Sequence, residues 1–138
     1  MIAIVVSEFN KKITSGLLRG CLDALDEHQI KKNQIVVNYV PGAFEIPAKI
    51  KKLSSTNKYD CLIALGCIIK GETDHYHYIA NAVTNGLMEV TLNVGSPIIF
   101  GVLTCQNVGL AISRSGKKNK QNKGYEAGLA AIEQLKDQ

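Results

Sequence analysis

The chain has 138 residues, 46% of them apolar, enough to bury one core and too few to expect two. Its formal charge of +4 has a local origin: Lys117, Lys118, Lys120 and Lys123 fall within seven residues, and without them 12 basic side chains face 12 acidic ones. That distribution argues against a nucleic-acid-binding face, which would spread basic residues over a surface and interleave aromatics, and no apolar run approaches the ~20 residues that span a bilayer.

Residues 2–6, Ile-Ala-Ile-Val-Val, form an uninterrupted apolar run that suits a strand buried on both faces. The run is too short, and lacks the basic start, for a signal peptide, so a cytoplasmic protein is expected. Ile13, Leu17, Leu18, Cys21, Leu22 and Leu25 then recur at helical spacing. A second strand is expected over 34–40, and a helix over 43–53 whose wet side carries Lys49, Lys51 and Lys52. A third strand covers 61–69, followed by a long helix near 75–94, a fourth strand near 97–104, a short helix over 107–114 and a closing helix over 123–136.

The order βαβαβαβαα with right-handed crossovers gives a four-stranded parallel sheet covered on both faces. This is a single-domain three-layer α/β/α sandwich, flavodoxin-like in type. Cys21, Cys61, Cys67 and Cys105 lie inside apolar segments with no C-x-x-C pair, so they read as small buried hydrophobes in a reducing compartment.

A doubly wound sheet collects its ligands at the carboxyl ends of its strands. The loops there read Ser7-Glu8-Phe9-Asn10, Val40-Pro41-Gly42-Ala43-Phe44-Glu45-Ile46-Pro47, Gly71-Glu72-Thr73-Asp74-His75 and Thr104-Cys105-Gln106-Asn107. Phe9 and Phe44 are two of only three phenylalanines, and an aromatic at a strand end can wall a heterocycle pocket. Each also fits a loop aromatic packing down on the core. Glu45 can accept from hydroxyls or ring N–H groups, or serve as an ordinary helix cap.

The segment Gly66-Cys67-Ile68-Ile69-Lys70-Gly71-Glu72-Thr73 nearly fits a P-loop. The lysine position holds Glu72, however, and a carboxylate there would repel the phosphates the lysine is meant to meet. What survives is a smaller anion site for one phosphate, built from Gly71, Thr73 and the N–H groups of a helix start. The same residues also fit a plain βα turn with a Thr/Asp cap. His75 beside such a site suggests general acid/base work. A metal centre with His77 is disfavoured, because i and i+2 on a helix point apart and no third ligand is suitably spaced.

These blocks, with Pro97-Ile-Ile-Phe100-Gly-Val-Leu-Thr104, Arg114 and Asn122-Lys-Gly-Tyr-Glu126, run in order from residue 7 to 126 and closely resemble the 6,7-dimethyl-8-ribityllumazine synthase family. The resemblance implies condensation of 5-amino-6-(D-ribitylamino)uracil with 3,4-dihydroxy-2-butanone 4-phosphate, without a cofactor, in the penultimate step of riboflavin synthesis. It implies that Phe9 stacks on the pyrimidine, that Ala43, Phe44 and Glu45 bind ribityl and ring groups, and that the backbone of Cys67, Ile68 and Ile69 reads the pyrimidine edge. Glu72 and Thr73 would offer main-chain N–H groups to the phosphate, and His75 would transfer protons. Phe100 and Arg114 would reach the site from a neighbouring subunit, so the active form would be a homo-oligomer, typically a pentamer.

Three positions depart from the family pattern: Lys70, His77 and the pair Gly109-Leu110. The short N-terminus and the lengthened, lysine-rich connector favour a pentamer over a shell of pentamers. Ile79, Val83, Leu87 and Val90 are the expected pentamer face of the long helix. Two other classes compete: a non-catalytic flavin- or pterin-binding module on the same fold, and a nucleic-acid binder using residues 117–123. The connector also reads as plain solvated chain, or as a lure for an anionic substrate.

Overall fold

A computed structural model describes residues 1–117 and 121–137. Four strands, β1 (Ile2–Ser7), β2 (Ile35–Val40), β3 (Cys61–Ile69) and β4 (Ile98–Cys105), form one all-parallel sheet in the order β2-β1-β3-β4. The expected element order is observed, with boundaries within a few residues of those read from periodicity. β1 and β3 are central; all six residues of β1 and the first eight of β3 are buried, as their unbroken apolar runs require.

Helices α1 (Lys11–Glu27) and α5 (Lys123–Lys136) cover one face, where Ile2, Ile4, Val6, Ile63 and Leu65 meet Cys21, Leu25, Ala127 and Ala131. The other face is covered by a 3₁₀ turn (Ala43–Glu45), α2 (Ile46–Ser54) and α3 (His75–Asn93), which pack Ile46, Ile50, Val83 and Leu87 on Ala3, Val5 and Ala64. Alternation along β1 sends odd and even positions to opposite faces, and each helix takes the stripe that faces it. The short α4 (Val108–Ser113) closes a third cluster against Ile13, Leu17, Cys67, Leu103 and Cys105 at the carboxyl end of the sheet.

One expectation is corrected. Val83 and Leu87 are 1% and 2% exposed and belong to the chain's own core, with Ile79 and Val90 packed against it. Turning them outward would forfeit about 1.5–3 kcal/mol for each buried side chain, so this stripe is spoken for. The outer face of α3 instead carries Tyr78, Ala82, Met88 and Leu92 with Asn81, Asn85 and Glu89, the helix's one carboxylate.

All four cysteines are buried and free. Burial pushes the thiols of Cys21, Cys61 and Cys67 up to about 12, so they are protonated, unreactive packing groups at neutral pH. Among the described residues no helix is long and apolar enough to cross a membrane.

The α1–α5 contact depends on glycine. A Cβ at Gly124 would run into the Leu17 backbone, and one at Gly128 would come within 2.9 Å of the Cys21 carbonyl oxygen. Backbone cannot step aside as a flexible side chain can, so Gly124→Ala is expected to destabilise by about 2–4 kcal/mol despite alanine's better helix propensity. Urea unfolding monitored by circular dichroism checks this, and a stability equal to the parent would show that α5 can slide on α1.

Candidate active site

The strand order reverses between β1 and β3, so the chains leaving their carboxyl ends diverge and open a crevice. A cavity of about 470 Å3 lies there, lined by Phe9, Asn10, Ala43, Phe44, Cys67 to Ile69, Gly71, Thr73, His75 and Val108, among others. Its size fits a substrate-scale ligand.

The β1 loop is held by its neighbour on one side and by β3 on the other. The Glu8 N–H donates to the Val40 carbonyl at 2.8 Å and the Phe9 N–H to the Pro41 carbonyl at 2.9 Å. Asn10 then adopts the left-handed conformation (φ 63°, ψ 47°) that turns the chain into α1, and its Nδ2 donates to the Cys67 carbonyl at 3.4 Å. Asparagine tolerates that conformation better than most residues. The result is Phe9 held at the cavity wall with its ring 71% exposed. An aromatic so exposed contributes little to the core, and the same holds for Phe44 at 58%. The reading of both as core aromatics is thereby excluded.

Gly66 seats the 3₁₀ turn on the sheet, since a Cβ there would come within 2.8 Å of Ile46 Cδ1 and 3.1 Å of Ser7 Oγ. Glu45 caps this turn: its Oε1 accepts from the Gly42 N–H at 2.8 Å. Its carboxylate therefore does the capping work considered at the outset, and Glu45 is not among the residues lining the cavity.

β3 ends at Ile69 and α3 begins at His75, with the Lys70–Asp74 turn between. Thr73 Oγ1 accepts from the His75 N–H at 3.2 Å, and His77 and Tyr78 N–H groups reach the Asp74 carbonyl. Gly71, Thr73 and His75 all line the cavity; Glu72, between them in sequence, does not. Gly71 has neither a positive φ nor any atom within 4 Å of where a Cβ would stand. Among the described residues nothing requires glycine there, so the turn is open to close approach from the cavity side. His77 lies outside the cavity, its ring edge-on to Tyr76 at 5.1 Å, so the two histidines do point apart. Among the described residues no three His, Cys, Asp or Glu side chains cluster as metal ligands.

Besides Glu45 and Glu72, two predicted residues are not brought to this crevice. Phe100 and Arg114 line a second cavity with Thr104, Leu110, Lys123 and Glu126, beyond the β4 edge. Arg114 Nη1 there lies 3.8 Å from Cys105 Sγ, a weak acceptor.

The family model for 6,7-dimethyl-8-ribityllumazine synthase matches residues 1–138. The chain belongs to that family. It is a transferase that joins 5-amino-6-(D-ribitylamino)uracil and 3,4-dihydroxy-2-butanone 4-phosphate, releasing phosphate and water, in riboflavin biosynthesis. The family works on small molecules and as an oligomer.

Sequence reasoning gave no role to Asn10, Tyr76 or Val108, all of which line the crevice. Asn10 stood in the quoted motif, and an asparagine directly before a helical stripe is the signal that marks a left-handed cap. Val108 carries no comparable signal, because a lone valine opening a short helix reads as core.

The open space around Gly71 generates a prediction. Gly71→Ala should fold with a melting temperature close to the parent, yet raise KM for the phosphate substrate by about three- to tenfold, as a methyl group displaces an oxygen from main-chain N–H groups. Thermal unfolding and steady-state kinetics check it; an unchanged KM would remove the phosphate from this turn.

Proposed function

We propose that the crevice at the β1–β3 switch point is one half of the active site and that the cavity holding Phe100 and Arg114 is the other half, supplied by a neighbouring subunit. The observation that carries this reading is the separation itself. One cavity groups the aromatic wall, the phosphate turn and the histidine; the guanidinium lies in the other.

In this reading Phe9 stacks on the pyrimidine, and the main chain of Cys67, Ile68 and Ile69 reads its edge. Ala43 and Phe44, on the turn that Glu45 caps, hold the ribityl chain. The main-chain N–H groups of Glu72 and Thr73 take the phosphate at the start of the 19-residue α3, where the helix dipole favours an anion. Arg114 of the adjacent subunit pairs the phosphate from the far side, and Phe100 closes over the ring.

His75 stands between ring and phosphate. An amine attacking a ketone, loss of water and phosphate, and ring closure all require proton movement near neutral pH, which one imidazole can relay. Orientation of two substrates in one crevice supplies much of the acceleration.

The assembly that completes such a site is a pentamer. Its contact surface on α3 would be the largely apolar outer face of Tyr78, Ala82, Met88 and Leu92, which carries Glu89 as its one carboxylate, a pattern suited to burial against another helix. The connector argued to oppose a shell includes residues 118–120, which lie outside the described residues. Four buried free thiols fit a reducing, cytoplasmic compartment.

Mixing the purified protein with both substrates and following the absorbance and fluorescence of the lumazine tests the activity. His75→Ala should retain binding and lower kcat by only about tenfold, because positioning carries most of the rate. Complete loss of turnover with intact binding would make His75 indispensable and contradict that division.

The shared site is tested by subunit mixing. Light scattering is expected to give about 75 kDa, five copies of the 15.0 kDa chain. A Phe9→Ala/His75→Ala variant and an Arg114→Ala variant, each impaired alone, should on co-refolding regain up to about a quarter of parental activity, since one interface in four then joins two intact halves. No gain over the sum of the separate variants would place both halves within one chain.

A further inference from the structure

Arg114 ends α4 and is exposed, with the cysteine sulfur as its side-chain contact. A contact to a thiol sulfur at 3.8 Å does not fix a long side chain, so the placement of its guanidinium depends on how firmly its backbone is held. The Arg114 N–H donates to the Leu110 carbonyl at 3.2 Å, and the Arg114 carbonyl accepts from the Lys123 N–H at 2.8 Å, which brings residues 114 and 123 together.

Beside that bond sits Asn122, 3% exposed. Its Nδ2 donates to the Gly16 carbonyl at 3.1 Å and to the Gly116 carbonyl at 3.0 Å, while its Oδ1 accepts from the Tyr125 N–H at 3.0 Å. Two carbonyls on one side and an N–H on the other fix which end of the amide is nitrogen. One side chain thus joins α1, the chain leaving Arg114 and the first turn of α5. The seat is cut for it: a Cβ at Gly20 would collide with the Asn122 amide, and a Cβ at Gly16 with the Ser115 carbonyl. Ser115 is itself buried, its Oγ donating to the Ala111 carbonyl at 2.8 Å.

We propose that Asn122 is a positioning residue for the phosphate-binding arginine: its amide clamps the base of the 115–121 excursion onto α1 and so sets where Arg114 projects, independently of the lysine-rich tip. The proposal rests on the reading of Arg114 as the phosphate contact, and it adds the device that makes that contact rigid. A purely structural role would lower stability and affect both substrates alike; a positioning role falls on the phosphate alone.

Asn122→Ser separates the two. Serine still caps α5 by accepting from Tyr125 but is too short to reach the Gly16 and Gly116 carbonyls. Asn122→Asp is the second variant: it keeps the cap and turns both donor bonds into repulsions, and it serves if the serine variant folds poorly. For the oligomeric enzyme we expect KM for the butanone phosphate to rise about five- to tenfold, with kcat and KM for the pyrimidine within about twofold of the parent. Combined with Arg114→Ala, Asn122→Ser should add little to the effect of Arg114→Ala alone, since both act through one contact. Equal rises in both KM values, or additive effects, would overturn the positioning role. If Arg114→Ala raises the phosphate KM and neither Asn122 variant does, the clamp is refuted while the arginine's role stands. If Arg114→Ala itself leaves that KM unchanged, the arginine's role falls and the inference falls with it.

Discussion

The reversal of strand order between β1 and β3 is the constraint on which the rest depends. Right-handed crossovers place α1 on one face and α2 and α3 on the other. The loops following the two central strands must then part. The gap between them is the one place where backbone from both central strands, an aromatic wall and a helix start face one volume. Gly66 keeps the 3₁₀ turn pressed against the sheet, which carries Ala43 and Phe44 over that gap. The region has a cost: Ser7 Oγ is fully buried and has no hydrogen-bond partner among the described residues, a condition worth about 1–3 kcal/mol. Polar mismatch of this kind concentrates beside functional sites rather than in plain core.

Charge is arranged economically around the same gap. A P-loop brings its own lysine, whereas here the turn offers main-chain N–H groups and a helix dipole, and Glu72 stands where the lysine would be. One phosphate oxygen set can be satisfied by such a turn, but a leaving dianion needs a full positive charge nearby. Arg114 lies in a different cavity; on the proposed reading it supplies that charge from a neighbouring subunit, and turnover would then depend on oligomer stability.

The two helical layers differ in how they are packed, and the difference matters for the site. α1 and α5 approach so closely that Gly16, Gly20, Gly124 and Gly128 are needed at the contact, leaving space for backbone and for the Asn122 amide. α3 packs in the ordinary way, with branched side chains inward, and leaves a broad face of mostly apolar and amide side chains outward. The tight pair holds a residue in place; the loose face is available for another chain.

The sequence by itself determined the sheet, the helices and the loops that carry chemistry. Fully buried strands write unbroken apolar runs, amphipathic helices write a 3.6-residue stripe, and the order of the two, with fixed crossover handedness, leaves one topology. It also ruled out a nucleotide loop on the charge of Glu72 and separated His75 from His77 by spacing alone. What it could not decide were the relations between elements. Helical spacing picked Ile79, Val83, Leu87 and Val90 as an outer face, because periodicity finds the most apolar stripe and is silent about which partner covers it; the chain's own sheet claims it first. Glu45 looked equally suited to ligand and cap until the turn put its Oε1 on the Gly42 N–H. The place of Asn10 before a helical stripe marked a cap but not its bond to Cys67, and Asn122 gave no sign of its role, since that bond and an amide shared by α1, α5 and the chain after Arg114 exist only once segments distant in sequence are in contact. Local periodicity encodes what each element buries, and only tertiary packing decides against whom.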